Sequence, residues 1–279
     1  HRIDHAIFWL TITALIAMPL MFNFLDIVAI FNELKIVSLH FLAGLILILW
    51  SWQIAIRIIL NKTESHNLTN WDLFNWADKN PARWAILATA IWFFSITAST
   101  FLSPFPVLSF YGVDEGRNGY NLYDYLSLMT ILASVIFRFR TTRSLELLTY
   151  TLVITGTITA TYGIAQHYGW DPIGGNAGRT RVIASFGNTL NFGGYMVMSI
   201  PATLALTYKR LNKTSTFRAL ITVALSLQLI GLWFTAGLGP FISTSASIAS
   251  FFVIAAALGS LREILRGIFL FASAAIIAL

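Results

Sequence analysis

The 279-residue chain has no cysteine, which excludes a disulfide framework and any thiolate metal site. Charge is scarce as well. Asp, Glu, Lys and Arg make up 11% of the residues against 57% hydrophobic, with a mean hydropathy of +0.72; a typical soluble domain is about 25% charged. The composition therefore excludes an ordinary soluble domain and points to an all-α, polytopic transmembrane bundle. Nine Trp, nine Tyr and 22 Phe suit a chain with many membrane interfaces, where aromatic belts form. The pI near 9.7 does not imply nucleic acid, because that inference needs a clustered basic face on a soluble domain.

The chain opens His1-Arg2-Ile3 and closes within the apolar run Ala274 to Leu279. We therefore expect a single transmembrane domain over 1–279, incomplete at both ends, with no cleavable signal peptide. A spanning helix needs roughly 20 apolar residues. On that ruler the sequence predicts about nine spanning helices, centred near Ala14, Leu45, Ile91, Met129, Ile158, Met198, Ala224, Ala249 and Ala274. Most Lys and Arg fall in alternate linkers, among them Arg138, Arg140, Arg143, Lys209, Arg210, Lys213 and Arg218. Basic residues favour the cytoplasmic side, so the amino terminus reads as cytoplasmic. Four cations are left on the outer side: Lys35, Arg117, Arg179 and Arg181.

Lys35, beside Glu33, reads as an interfacial side chain reaching for water. His40 reads as a bundle-facing hydrogen-bonding residue. Ser103-Pro104-Phe105-Pro106 stops the third segment, since proline removes a donor and restricts the residue before it. Arg117 follows in a glycine-rich loop, either paired with Asp114 or Glu115 or available to an anion. Arg179 and Arg181 are two apart, on one face of an extended segment. They could clamp one dianion or reach separately for lipid phosphates. Beyond them Ser185-Phe186-Gly187-Asn188 and Asn191 supply amide groups and a glycine turn, a set suited to phosphate oxygens. The Ser243 to Ser247 hydroxyl run reads as helix packing.

The order Tyr162-Gly163-Ile164-Ala165-Gln166, Asp171-Pro172, Arg181, Phe186-Gly187-Asn188 and Pro201 resembles the O-antigen ligase and polymerase family. The Gly112 to Gly119 loop with Arg117 is similar to a second, looser element of that family. The resemblance implies a GT-C-like helical fold in a bacterial plasma membrane and a metal-independent reaction on its outer face, without a cofactor. A glycan would move from a polyprenyl diphosphate carrier to a lipid, glycan or protein acceptor. Arg117, Arg179 and Arg181 would engage the diphosphate, with Asn188 and Asn191 nearby. The catalytic histidine would lie in a large outer loop beyond Leu279, followed by further helices, and His167 is a weak substitute. Leu238 stands where the family's pattern has an arginine. A non-catalytic subunit of a larger membrane complex is therefore the alternative reading, and a lipid-linked sugar transporter ranks last for want of ionisable residues along a path.

Overall fold

The computed structural model describes residues 2–22, 33–61, 83–112, 121–172, 181–209, 214–258 and 261–278. Its regular structure is all helical: α1 (Arg2–Leu20), α2 (Glu33–Asn61), α3 (Arg83–Phe101), α4 (Pro106–Tyr111), α5 (Leu122–Arg138), α6 (Thr142–His167), α7 (Thr189–Lys209), α8 (Ser215–Phe234), α9 (Leu238–Leu258) and α10 (Leu261–Ala278). The chain is a multi-span helical membrane protein, but the expectation of about nine spanning helices fails.

Among the described residues, five helices are long and apolar enough to cross a bilayer: Arg2–Leu20, Glu33–Ile56, Thr142–His167, Ser215–Phe234 and Leu238–Ala257. The segments expected around Ile91, Met129, Met198 and Ala274 fall short. The apolar stretches Ile86–Phe101 and Gly267–Ala278 are too short. At 17 residues, α5 reaches only about 26 Å at 1.5 Å per residue, against a hydrocarbon core of roughly 30 Å. The 21 residues of α7 would suffice, but Asn191, Gly193, Gly194, Tyr195 and Pro201 dilute its apolar character. The alternation counted over nine crossings does not carry over.

The chain divides into two compact units, His1–Thr11 with Ile36–Phe137 and Ile12–Lys35 with Arg138–Leu279. In the first unit, Gln53 Nε2 donates to Asp4 Oδ1 at 2.9 Å. Trp92 meets Tyr125 edge to face at 5.3 Å. The proline pair ends α3 as expected: a turn covers 102–105, and Pro106 opens α4 at a position where its missing N–H costs nothing. One face of α5 buries Asp124, Ser127, Thr130, Ile131 and Ser134.

The second unit is a close-packed bundle. A capping box starts α6, with Ser144 N donating to Thr141 Oγ1 at 3.2 Å and Thr141 N to Ser144 Oγ at 3.1 Å. Contacts of residues 156 and 163 with 199 and 192 set α7 antiparallel to α6, while Gly231 against Ala160 sets α8 parallel to it. Small residues allow this approach: a Cβ on Gly156 would come within 2.5 Å of Ser199 Cβ. Phe192, Met196, Ile200, Leu204 and Leu225 fill the core. Gln228 ties the three helices together, accepting from Thr203 Oγ1 at 2.9 Å and donating to Thr157 Oγ1 at 3.2 Å. In the hydroxyl run of α9, Thr244 is buried and Ser247 Oγ donates to the Val197 carbonyl at 3.5 Å.

Candidate anion site at the 181–188 turn

Where α6 ends, its last two turns present Tyr162, Gly163 and Gln166. The first and last are four apart and share one face. Tyr162 Oη and Gln166 Nε2 both donate to Asp171 Oδ1, at 2.5 and 3.3 Å. The helix closes through Gly169 at φ +84°, with Trp170 N donating to the Ala165 carbonyl at 2.9 Å; glycine takes this left-handed position without a side-chain clash.

The same Gln166 amide grips the peptide of Ala184. Ala184 N donates to Gln166 Oε1 at 2.8 Å, and Gln166 Nε2 reaches the Ala184 carbonyl at 3.3 Å. Below it, the Phe192 ring lies 3.0 Å from where a Cβ on Gly163 would sit. The Tyr-Gly-x-x-Gln sequence therefore positions the 181–188 segment, a role four-residue spacing could have signalled.

Arg181 is exposed at the head of that segment. Its Nε donates to the Thr235 carbonyl at 2.8 Å, and Val182 N donates to the Phe234 carbonyl at 3.1 Å. A Cβ on Gly237 would stand 3.5 Å from Arg181 Nη2, in ordinary contact, and 3.1 Å from Pro240 Cδ, where it would press on the ring. The 234–240 turn is thus joined to the arginine by backbone bonds. Among the described residues, the N–H groups on both Nη atoms have no protein acceptor.

Two residues at left-handed φ mark the same place. Among the described residues, the non-glycine positions with positive φ are Ala184 and Ala236, both at +47°. They lie in the two turns that Arg181 bridges. Such conformations cost energy and collect at ligand sites.

Asn188 caps α7, its Oδ1 accepting from Leu190 N at 2.8 Å, after Gly187 at φ +67°. Its Nδ2 remains on an exposed residue, and Asn191 is exposed one turn in. Gly193 packs on Pro240, where a Cβ would come within 2.5 Å of the ring. Arg181 and the first turns of α7 therefore share the 235–240 turn as a neighbour. Arg181, Asn188 and Asn191 are each exposed at or just after this turn, whereas Arg117 and Arg179 lie outside the described residues. Leu238 is 75% exposed. His167 stacks flat on Phe234, centroids 3.7 Å apart.

Lys35, expected as an interfacial side chain, makes contacts that the sequence did not signal. Its Nζ donates to the Ser185 carbonyl and stands 4.6 Å from the Phe186 centroid, while Ser185 Oγ donates to the Pro19 carbonyl. All five span-length helices thus have an end at this turn: α1 at Pro19, α2 at Lys35, α6 at His167, α8 at Phe234 and α9 at Leu238.

A second polar cluster lies in the first unit. His40 Nε2 is 2.7 Å from Asp124 Oδ1, Asn121 Nδ2 donates to Asp124 Oδ2 at 2.8 Å, and Asp124 N donates to Asn121 Oδ1 at 2.8 Å. Tyr123 covers the imidazole, centroids 4.0 Å apart. The expectation that His40 forms hydrogen bonds within the bundle agrees with this pairing.

No protein-family model, curated protein or solved structure matches this chain.

Chemically, the 181–188 surface carries groups of the kind that anions bind. It offers guanidinium N–H groups, two exposed amides and the positive end of α7, and Asp171, the nearby acid, is engaged by Tyr162 and Gln166.

Proposed function

We propose that the chain handles a polyprenyl-diphosphate-linked glycan at the outer face of a bacterial plasma membrane, transferring the glycan to a lipid or glycan acceptor as the O-antigen ligases and polymerases do. The observation behind this is the Arg181 turn. It pairs donors suited to diphosphate oxygens with a location where span-length helices end, so a lipid headgroup can reach it laterally. Orientation has its own support. The opposite ends of α1, α6 and α8 begin at or beside Arg2, Arg143 and Arg218, and basic residues favour the cytoplasm.

In the transfer, the bond from the sugar C1 to the diphosphate oxygen breaks, and its electron pair leaves with the diphosphate. The acceptor oxygen bonds to C1, and a base takes the acceptor proton. Arg181 would stabilise charge growing on the leaving diphosphate, with Asn188 and Asn191 orienting its oxygens. Arg117 and Arg179 join this reading from sequence alone. The exposed Leu238, at the position where an arginine is expected, favours a second reading: a non-catalytic membrane subunit that binds the carrier or a partner protein without transfer.

Arg181→Ala in the full-length protein tests the proposal. Donor affinity, measured with undecaprenyl diphosphate in nanodiscs, should fall about ten- to a hundred-fold, the range for losing charged hydrogen bonds; glycan transfer should fall with it. Unchanged donor binding would sink the assignment. Normal donor binding by the wild type without transfer to any acceptor would select the subunit reading.

A further inference from the structure

Lys35 stands at the start of α2, 150 positions from the turn it touches. A buried-side carbonyl is a weak reason to bring an ammonium to a bundle end, because water would serve the cation as well. Lys35 has three donors. Ser185 O takes one, the Phe186 face takes part of the charge, and among the described residues no carboxylate pairs with it. Arg181, at the head of the same segment, has among the described residues no acceptor at its Nη atoms and no acidic partner.

The segment Val182–Asn188 contains no Asp or Glu. An ammonium that touches this segment at Ser185 and a guanidinium at its head would both be favoured by an anion beside them. Ser185 and Phe186 hold Lys35 in place and Thr235 holds Arg181, and among the described residues neither cation pairs with a carboxylate.

We propose that Lys35 is a second cation of the Arg181 site and binds the diphosphate of the polyprenyl carrier. This rests on the reading given above and deepens it: the ligand is recognised by two cations from distant points in the sequence, one a planar guanidinium and one a point charge. The shared chemistry is a phosphate-bearing anion. Its sources are the carrier, free pyrophosphate or a phospholipid headgroup, and of these the carrier alone offers two adjacent phosphates at the membrane surface.

The test uses the full chain in phosphatidylcholine nanodiscs with three probes: undecaprenyl diphosphate, inorganic pyrophosphate and added phosphatidylglycerol. Lys35→Gln keeps a donor for the Ser185 carbonyl but removes the charge, Lys35→Arg keeps the charge, and Arg181→Gln is the reference. Undecaprenyl diphosphate should bind Lys35→Gln about ten-fold more weakly than wild type, while Lys35→Arg stays within about three-fold and thermal unfolding moves little. Full affinity in Lys35→Gln with loss in Arg181→Gln overturns the proposal and leaves the function standing. No binding of the carrier by wild type overturns both. A charge dependence seen only with phosphatidylglycerol, or only with pyrophosphate, overturns the carrier assignment. Should Lys35→Gln fail to fold, acylation of wild-type Lys35, mapped by mass spectrometry, decides: slowing of about ten-fold by undecaprenyl diphosphate supports the site, and an unchanged rate overturns it.

Discussion

The acidic cluster at the head of α5 and the basic turn ahead of α7 both set a charged side chain against a helix start, yet they differ in what is left over. Asp124 is 1% exposed, and each carboxylate oxygen accepts a bond, from His40 or Asn121. Arg181 is exposed, commits one nitrogen to Thr235, and among the described residues has no acceptor for its remaining donors. A cluster closed on itself holds helices together, as buried polar groups must when burial without partners is costly. A cluster left open, on backbone held in unfavourable φ, has what a ligand site needs, which is the basis of the proposal for Arg181. Neither cluster can be assigned from residue types alone, because a His–Asp pair suggests chemistry as readily as an arginine does.

Exchanging the closed cluster's acid should break this contrast if it is wrong. Asp124→Ala leaves the His40 and Asn121 donors without acceptors and should destabilise the fold by about 3 kcal/mol, two buried donors at roughly 1–3 kcal/mol each. Arg181→Gln should change stability by less than about 1 kcal/mol, as exposed substitutions generally do. Reversible unfolding in mixed micelles measures both. A larger loss from Arg181→Gln than from Asp124→Ala would make the turn the structural element and the acid the candidate site.

A smaller effect, near 1–2 kcal/mol as overpacking usually gives, is expected from Gly163→Ala. Its Cβ would meet Phe192 Cε1 at 3.0 Å, and Phe192 stacks on Phe186 of the turn at 6.1 Å. Because the pressure passes into the turn, carrier affinity should fall as well. Loss of stability with full affinity would show that the turn is indifferent to the packing beneath it.

Local features were legible in the sequence and long-range ones were not. The Pro104–Pro106 stop, the Phe186-Gly187-Asn188 turn and the placement of Arg181, Asn188 and Asn191 on one stretch follow from neighbours in the chain. The pairing of His40 with Asp124 spans 84 positions and that of Lys35 with Ser185 spans 150, and nothing in composition or periodicity joins such residues. Lys35 did stand out as a cation on the side poor in them, but its partner is a backbone carbonyl, which has no sequence signature. The count of spans failed for a related reason. Apolar runs are easily counted, whereas the buried hydroxyls of α5 and α7 and the buried Gly193 belong to helix contacts and dilute the very signal the count depends on.

The smallest effect would sharpen the contrast most, because it separates strain from binding. Ala236 follows Thr235 at the end of α8 and holds φ +47°, a position that glycine takes freely and that costs an L-residue about 1–2 kcal/mol. Ala236→Gly should therefore raise stability by roughly 1 kcal/mol, less whatever glycine's extra freedom in the unfolded chain takes back. Its carbonyl neighbour Thr235 still accepts from Arg181, so the bond to the guanidinium survives. If the strained turn merely joins two helices, the variant is more stable and binds undecaprenyl diphosphate as the wild type does. If the turn must hold Arg181 rigidly, the gain in stability comes with weaker binding, since a glycine widens the range of the 235–237 backbone against which the arginine rests. Calorimetric binding beside unfolding of the same preparation distinguishes the two, and a loss of stability would show that the αL conformation at Ala236 is not strained at all.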